Sequence, residues 1–191
     1  MLFLVRHGRT SLNKSHKLQG RIDLPLDEVG VRQGKAIAGA LPNIDHVISS
    51  SLKRAFETAK AIGKPVTVDD RWIELDYGDF DGMLPADVPE STWAQWRADS
   101  SFRPPNGESL DELDLRVRTA IEDIYLRAQT ENIAIVSHVS PIKAAIAWSM
   151  GATVGASWRC LLDPASISII NIRSNGPAMY SFNNTAHLIG I

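Results

Sequence analysis

The stretch MLFLVRHGRT, residues 1–10, decides how the rest of the chain is read. Leu2 to Val5 is an unbroken apolar run, the pattern of a strand covered on both faces. It stops abruptly at Arg6, His7 and Gly8. Two adjacent nitrogen-rich side chains at the end of a buried strand have two readings. Either the strand runs out into a solvated turn, or it delivers Arg6 and His7 into a pocket for an anion, with Gly8 free to take any backbone angle.

Working outward, strand-like runs alternate with helical ones, which predicts an α/β layered fold. LDEVGVRQGKAIAGAL (26–41) reads as a helix capped by Asp27, with Val29, Ala36, Ile37 and Ala40 inward. HVISS (46–50) is a strand, and SLKRAFETAKAIG (51–63) a helix with Ser51 as cap and Gly63 as its stop. A long helix follows from Leu110, with Leu113, Val117, Ile121 and Ile124 along one stripe. IAIVS (133–137) is a second deeply apolar strand. The helix after it has Ser140 as cap and Pro141 at its first position. SISIINIRSNGPAMYSFN (166–183) alternates about a Ser-Asn-Gly turn, a hairpin signal. The expected architecture is a three-layer α/β/α fold with a mostly parallel central sheet and an antiparallel C-terminal edge hairpin. The proline- and serine-rich stretch at about 83–106 interrupts the alternation and reads as a lid inserted into one domain over residues 1–191.

The 191 residues are 44% apolar and 22% charged with a formal net charge of -2, ordinary for a globular protein. Nucleic acid and anionic membrane partners would favour a basic excess, and none is expected. Cys160 is the sole cysteine, so neither a disulfide nor a cysteine-based metal site can form. No stretch is long and apolar enough to span a bilayer, and the N-terminal run is too short for a signal peptide. A cytoplasmic location is expected. The terminal hairpin offers an edge for pairing with a second copy, as a homodimer.

In an open α/β sheet, ligands bind beyond the carboxyl ends of the strands. Here one strand ends at Arg6-His7, another leads into Lys53-Arg54, and a third ends at His138. One rim would then carry two arginines, two histidines and a helix N-terminus. Such a cluster repels itself and calls for an anionic guest. Phosphate fits best, since its oxygens accept bidentate arginine and imidazolium bonds together.

Taken in order, RHGRT (6–10), Asn13, Gln19-Gly20, DLPLDEVG (23–30), SSSLKRAFETA (49–59), ELDYGDFDG (74–82), PNGES (105–109), VSHVSPIK (136–143) and NNTAHL (183–188) resemble the histidine phosphatase superfamily, which includes phosphoglycerate mutases. The last two segments are most similar to its small phosphatases, including α-ribazole-phosphatase-like and acid-phosphatase domains. The resemblance implies a metal-independent phosphomonoesterase without cofactor, acting on a small phosphorylated metabolite through a phosphohistidine. His7 would be the nucleophile. Arg6, Arg54 and His138 would hold the phosphoryl oxygens, with Thr10, Asn13, Gln19, Gly20 and Val139 as further phosphate or substrate contacts. Glu74 would be the proton donor and later the base for water. As a bare pattern its surroundings, with Asp76, Asp79 and Asp81, read equally as a solvated acidic loop; position in the family pattern selects Glu74.

Two departures stand out. Arg9 occupies a place where an acidic residue is frequent, which adds positive charge near the mouth. Val139-Ser140-Pro141 replaces a glycine-rich stretch, and Pro141 brings no N–H to the pocket. Phosphoglycerate mutase chemistry would need a larger closing insertion than 83–106. A binding module without turnover would normally have lost one of the five central side chains. Trp93, Trp96 and Phe102 have two readings: selection of the alcohol portion, or anchoring of the lid onto the core.

Overall fold

The computed structural model describes residues 1–191. Strand β1 (Leu2–Arg6) leads to a single helical turn, α1 (Ser11–Lys14), and then to α2 (Glu28–Ala40). Next come β2 (His46–Ser49), α3 (Lys53–Lys60) and β3 (Val66–Val68). Helices α4 (Glu90–Ala98) and α5 (Leu110–Ile124) precede β4 (Ile133–Ser137) and α6 (Val139–Ser149). The hairpin β5 (Ile167–Arg173) and β6 (Gly176–Asn184) closes the chain.

The six strands form one sheet in the order β3-β2-β4-β1-β5-β6. β1, β2, β3 and β4 run parallel to one another, β5 pairs antiparallel with β1, and β6 antiparallel with β5. This is the expected mixed α/β sheet. β1 lies between β4 and β5, and the two-residue period of a strand splits its apolar run between two cores. Leu2 and Leu4 join the larger core with Ile133, Ile135, Leu113, Val117, Ile121 and Ile142 from β4, α5 and α6. Phe3 and Val5 join the other, with Ala134, Val136, Ile37, Ala55 and Ala59 from β4, α2 and α3. The unbroken run therefore reports two covered faces.

Several local expectations need correction. In α2 the buried positions are Gly30, Gly34 and Ile37, whereas Ala40 is exposed. The reason is close backbone approach. A Cβ on Gly30 would lie 2.1 Å from the Arg9 carbonyl oxygen, and one on Gly8 2.5 Å from the Gly30 carbonyl oxygen. Gly8 thus serves space and not an unusual backbone angle, since its φ is not positive. Ser51 does not cap α3: the cap position is Leu52, without a side-chain bond. Ser140 does not cap α6 either, because His138 holds that position and Pro141 sits third in the helix. β3 went unread in the sequence. Its three residues lie on the sheet edge with Thr67 and Val68 exposed, so no apolar run marks it.

Candidate active site

The carboxyl ends of β1, β2 and β4 meet, as the strand order requires. The His7 and His138 ring centres stand 5.1 Å apart. Between them lies Arg54, whose Nε–H donates to both His7 Nε2 and His138 Nδ1, each at 3.2 Å. The other ring nitrogens fix the tautomers. His7 Nδ1 lies 2.7 Å from the Gly8 carbonyl and must donate to it, so Nε2 carries the lone pair. His138 accepts at Nδ1 and donates from Nε2 to Ser50 Oγ at 2.8 Å.

Both rings are therefore neutral here, and the surroundings favour that state. Burial holds the His7 pKa well below the ordinary value, and the Arg54 and Arg6 charges push it the same way. His138 is held down by burial, then by Arg54, His7 and Arg6. Burial also draws Arg54 down to about 10, so it stays charged at neutral pH. Its guanidinium is 0% exposed and donates through Nη1 to the Ile22 carbonyl at 2.9 Å and through Nη2 to the Gly20 carbonyl at 2.8 Å. Charge-assisted bonds of this kind contribute about 1.5–3 kcal/mol each and hold the cation in place without a carboxylate partner.

These shifts have a consequence for stability. A histidine whose folded pKa lies below its unfolded value of about 6.5 leaves the unfolded chain with more bound protons in that window. Its contribution is complete above about pH 6.5 and is lost as pH falls toward the folded value, at up to about 1.4 kcal/mol per pH unit per histidine. Urea unfolding between pH 5 and 6.5 should therefore show a shallower pH slope in His138→Gln than in the wild type. Equal slopes would contradict a neutral, buried His138.

Glu74 comes from the loop before α4 and reaches the N-terminus of α6. Its carboxylate accepts from the Val139 and Ser140 amides at 3.0 Å each and from the Leu75 amide at 2.8 Å. The two amides at the start of α6, those of Val139 and Ser140, are thus spent on Glu74, and Pro141 adds none. Arg6 is half-buried, with Nη1 donating to the Leu162 carbonyl and Nε without a partner.

A cavity of about 140 Å³ opens over this group. Of the residues singled out in the sequence, Arg6, His7, Asn13, Gln19, Glu74 and Val139 line it. Lys17, Leu18 and Tyr77 also line it and were not singled out from the sequence. Arg54 and His138 stand behind His7, fully buried, and Thr10 and Gly20 stay out of the lining. Thr10 caps α1 in a reciprocal box with Asn13, and its Oγ1 lies 2.6 Å from Gln19 Oε1. Gly20 contributes its carbonyl to Arg54. Arg9 does not charge the mouth: Asp27 pairs with its Nε at 2.7 Å. Lys17 lines it beside Arg6 and adds the charge that Arg9 does not.

The acidic cluster sorts itself in three dimensions. Asp81, half-buried, accepts from the Gly20, Arg21 and Ile22 amides at 2.7, 2.8 and 2.8 Å. It clasps the loop whose carbonyls hold Arg54, and is a positioning residue the sequence pattern left among solvated acids. Asp81→Ala is expected to cost about 2–3 kcal/mol of stability, less than the sum for three such bonds because the freed amides regain water. Through Arg54 it should also lower kcat/KM about tenfold, with partial rescue in Asp81→Asn, measured by calorimetry and steady-state kinetics. A stability loss with unchanged kcat/KM would assign Asp81 to the loop alone.

No cluster of three or more His, Cys, Asp or Glu side chains is arranged to hold a metal, and no helix is long and apolar enough to cross a membrane.

Comparison with known proteins fits this geometry. A bifunctional protein of Mycobacterium tuberculosis is 36% identical over 198 residues, covering 98% of this chain and 54% of that protein. The chain thus spans about half the length of that relative. Phosphoserine phosphatase 1 of Hydrogenobacter thermophilus is 32% identical over 199 residues, covering 98% of this chain and 93% of that protein. Among solved structures, phosphoserine phosphatase of Entamoeba histolytica with 3-phosphoglyceric acid superposes with a TM-score of 0.90 at 26% identity, over 98% of both chains. A mycobacterial glucosyl-3-phosphoglycerate phosphatase gives 0.85 at 28% identity, over 96% of this chain and 98% of that one. The sequence profile of the histidine phosphatase superfamily (branch 1) matches residues 2–185. On sequence profile and structural likeness together, the chain belongs to the histidine phosphatase superfamily.

Proposed function

We propose that the protein is a metal-independent phosphomonoesterase that hydrolyses a small phosphorylated metabolite through a phosphohistidine. The single observation that carries the reading is His7 in the cavity wall with its lone pair on Nε2, set there by the Nδ1 bond to the Gly8 carbonyl and accepting from the Arg54 Nε–H. A neutral imidazole fixed in one tautomer is a nucleophile at neutral pH.

In the first step Nε2 attacks phosphorus, the bond from phosphorus to the alcohol oxygen breaks, and Glu74 gives that oxygen its proton. In the second, water attacks the phosphohistidine, Glu74 takes the water's proton, the P–N bond breaks and inorganic phosphate leaves. The transition states spread charge over the equatorial phosphoryl oxygens, so fixed cationic donors serve in place of a metal. Arg6 lines the cavity and brings its charge to such an oxygen. Arg54 and His138 become donors to the phosphoryl group once it is bound. Phosphorylation consumes the Nε2 lone pair and frees the Arg54 Nε–H. Burial and then the neighbouring Arg54 charge hold His138 neutral, and the phosphate dianion counters both, so His138 can take up a proton and donate it as a hydrogen bond from Nδ1.

The test is phosphate release from a panel of small phosphomonoesters with EDTA present. Release that survives EDTA supports the reading. Conversion of 3-phosphoglycerate to 2-phosphoglycerate without release, or tight binding of esters without turnover, would replace it with mutase or binding-module function.

A further inference from the structure

A second cavity, of about 180 Å³, adjoins the one over His7; the two share Leu18, Tyr77 and Val139. Its walls are largely aromatic. Trp93 stacks on Trp96 with ring centres 5.6 Å apart, and both meet Trp158 edge-on. Trp96 belongs to the core, so the aromatic residues of 83–106 both anchor that segment and shape this space. One cation lines it: Lys143, half-buried, one turn into α6. None of the chain's ion pairs includes Lys143, and it makes no side-chain hydrogen bond, although every arginine near the site is bonded. The Trp96 and Trp158 Nε1–H groups are likewise unpartnered. Burial lowers the Lys143 pKa while the Glu74 carboxylate raises it, so the ammonium lies within the field of the reacting groups.

A desolvated cation among apolar walls costs free energy unless a counter-charge joins it. The charge that fits is a single one. A second phosphate dianion needs several charged donors, whereas the single charge of a carboxylate is matched by one ammonium. We propose that Lys143 is a specificity-determining residue that anchors a carboxylate on the alcohol portion of the substrate, with the indole walls packing the carbon chain between carboxylate and phosphate. This rests on the phosphatase reading of the adjoining site and names its substrate class.

The probes are phosphate monoesters of ω-hydroxy carboxylic acids of increasing chain length, each paired with its carboxamide. The wild type should favour the acid over the amide by about tenfold or more in kcat/KM at one chain length, the effect of one partly buried ion pair. In Lys143→Met that ratio should fall to near one, and Lys143→Arg should restore part of it. A wild-type ratio near one at every length, or a ratio that survives in Lys143→Met, including a parallel loss on both esters from misfolding, would overturn the assignment. Release from acids and amides alike leaves the phosphatase reading standing while removing this one. Release from neither, with release from other esters of the wider panel, removes this assignment alone, and release from no ester at all overturns both.

Discussion

His7→Ala is expected to lower kcat for phosphate release by about 10⁴–10⁶-fold, the scale on which loss of a covalent nucleophile is felt. No neighbour can replace it. His138 has its Nε2–H committed to Ser50 and stands fully buried outside the cavity lining. Arg54 and Arg6 are cations and cannot attack phosphorus. The fold should survive, because His7 contributes little to either apolar core and its removal relieves the burial that disfavours its protonation. Stability at acid pH should rise slightly for the same reason. Wild-type enzyme quenched during turnover should carry an acid-labile phosphoryl label, and His7→Ala should carry none. Inorganic phosphate should still bind the variant, because Arg6, Asn13 and Gln19 remain in the cavity. Turnover within tenfold of wild type would place the nucleophile elsewhere and undo the two-step reading.

How much of this was legible in the sequence follows from which interactions are local. The apolar runs of β1 and β4 reported burial on both faces, and the structure divides Leu2 and Leu4 from Phe3 and Val5 accordingly. Asp27 was readable as a cap because its partner, the Gly30 amide, is three residues away. Ser51 and Ser140 satisfied the same pattern and failed as caps, because tertiary partners took over. The Ser140 amide goes to Glu74, 66 residues distant, and Ser50 rather than Ser51 supplies the acceptor for the Leu52 amide. Glu74 and Asp81 look alike in a list of acids. Each accepts three backbone amides, and they separate only when those amides are known to belong to α6 and to the 20–22 loop. Arg9 likewise looked like charge at the mouth until Asp27, 18 residues on, was seen to bond it. The site residues on strand ends were legible because strand order brings them together. The burial of Arg54 behind His7 was not, since nothing local distinguishes a guanidinium that faces solvent from one bonded to loop carbonyls.

Glu74→Gln should separate the two chemical steps, and it is the sharper test of the mechanism. With an alkyl phosphate both steps need a proton moved at this position, so turnover should fall by about 10²–10⁴-fold, the usual range for a lost general acid–base group. With p-nitrophenyl phosphate the leaving phenolate needs no proton, so the first step survives and the second does not. The variant should release one equivalent of nitrophenolate per site in a burst and then turn over slowly, with labelled phosphohistidine accumulating at His7. The amide side chain keeps one acceptor oxygen for the Val139, Ser140 or Leu75 amides, so the loop is held in part and the loss is chemical rather than structural. A companion Glu74→Ala variant, which holds none of those amides, should lose stability as well as rate. Steady turnover of the aryl ester without a burst would mean that water is activated by another group. The half-buried carboxylate of Asp76 would then be the next to test, since Asp81 is already committed to three amides. A burst in Glu74→Gln with the aryl ester, absent in the wild type, ties activation of the water to this carboxyl, and failure of the same variant to form phosphohistidine from the alkyl ester ties the leaving-group proton to it as well.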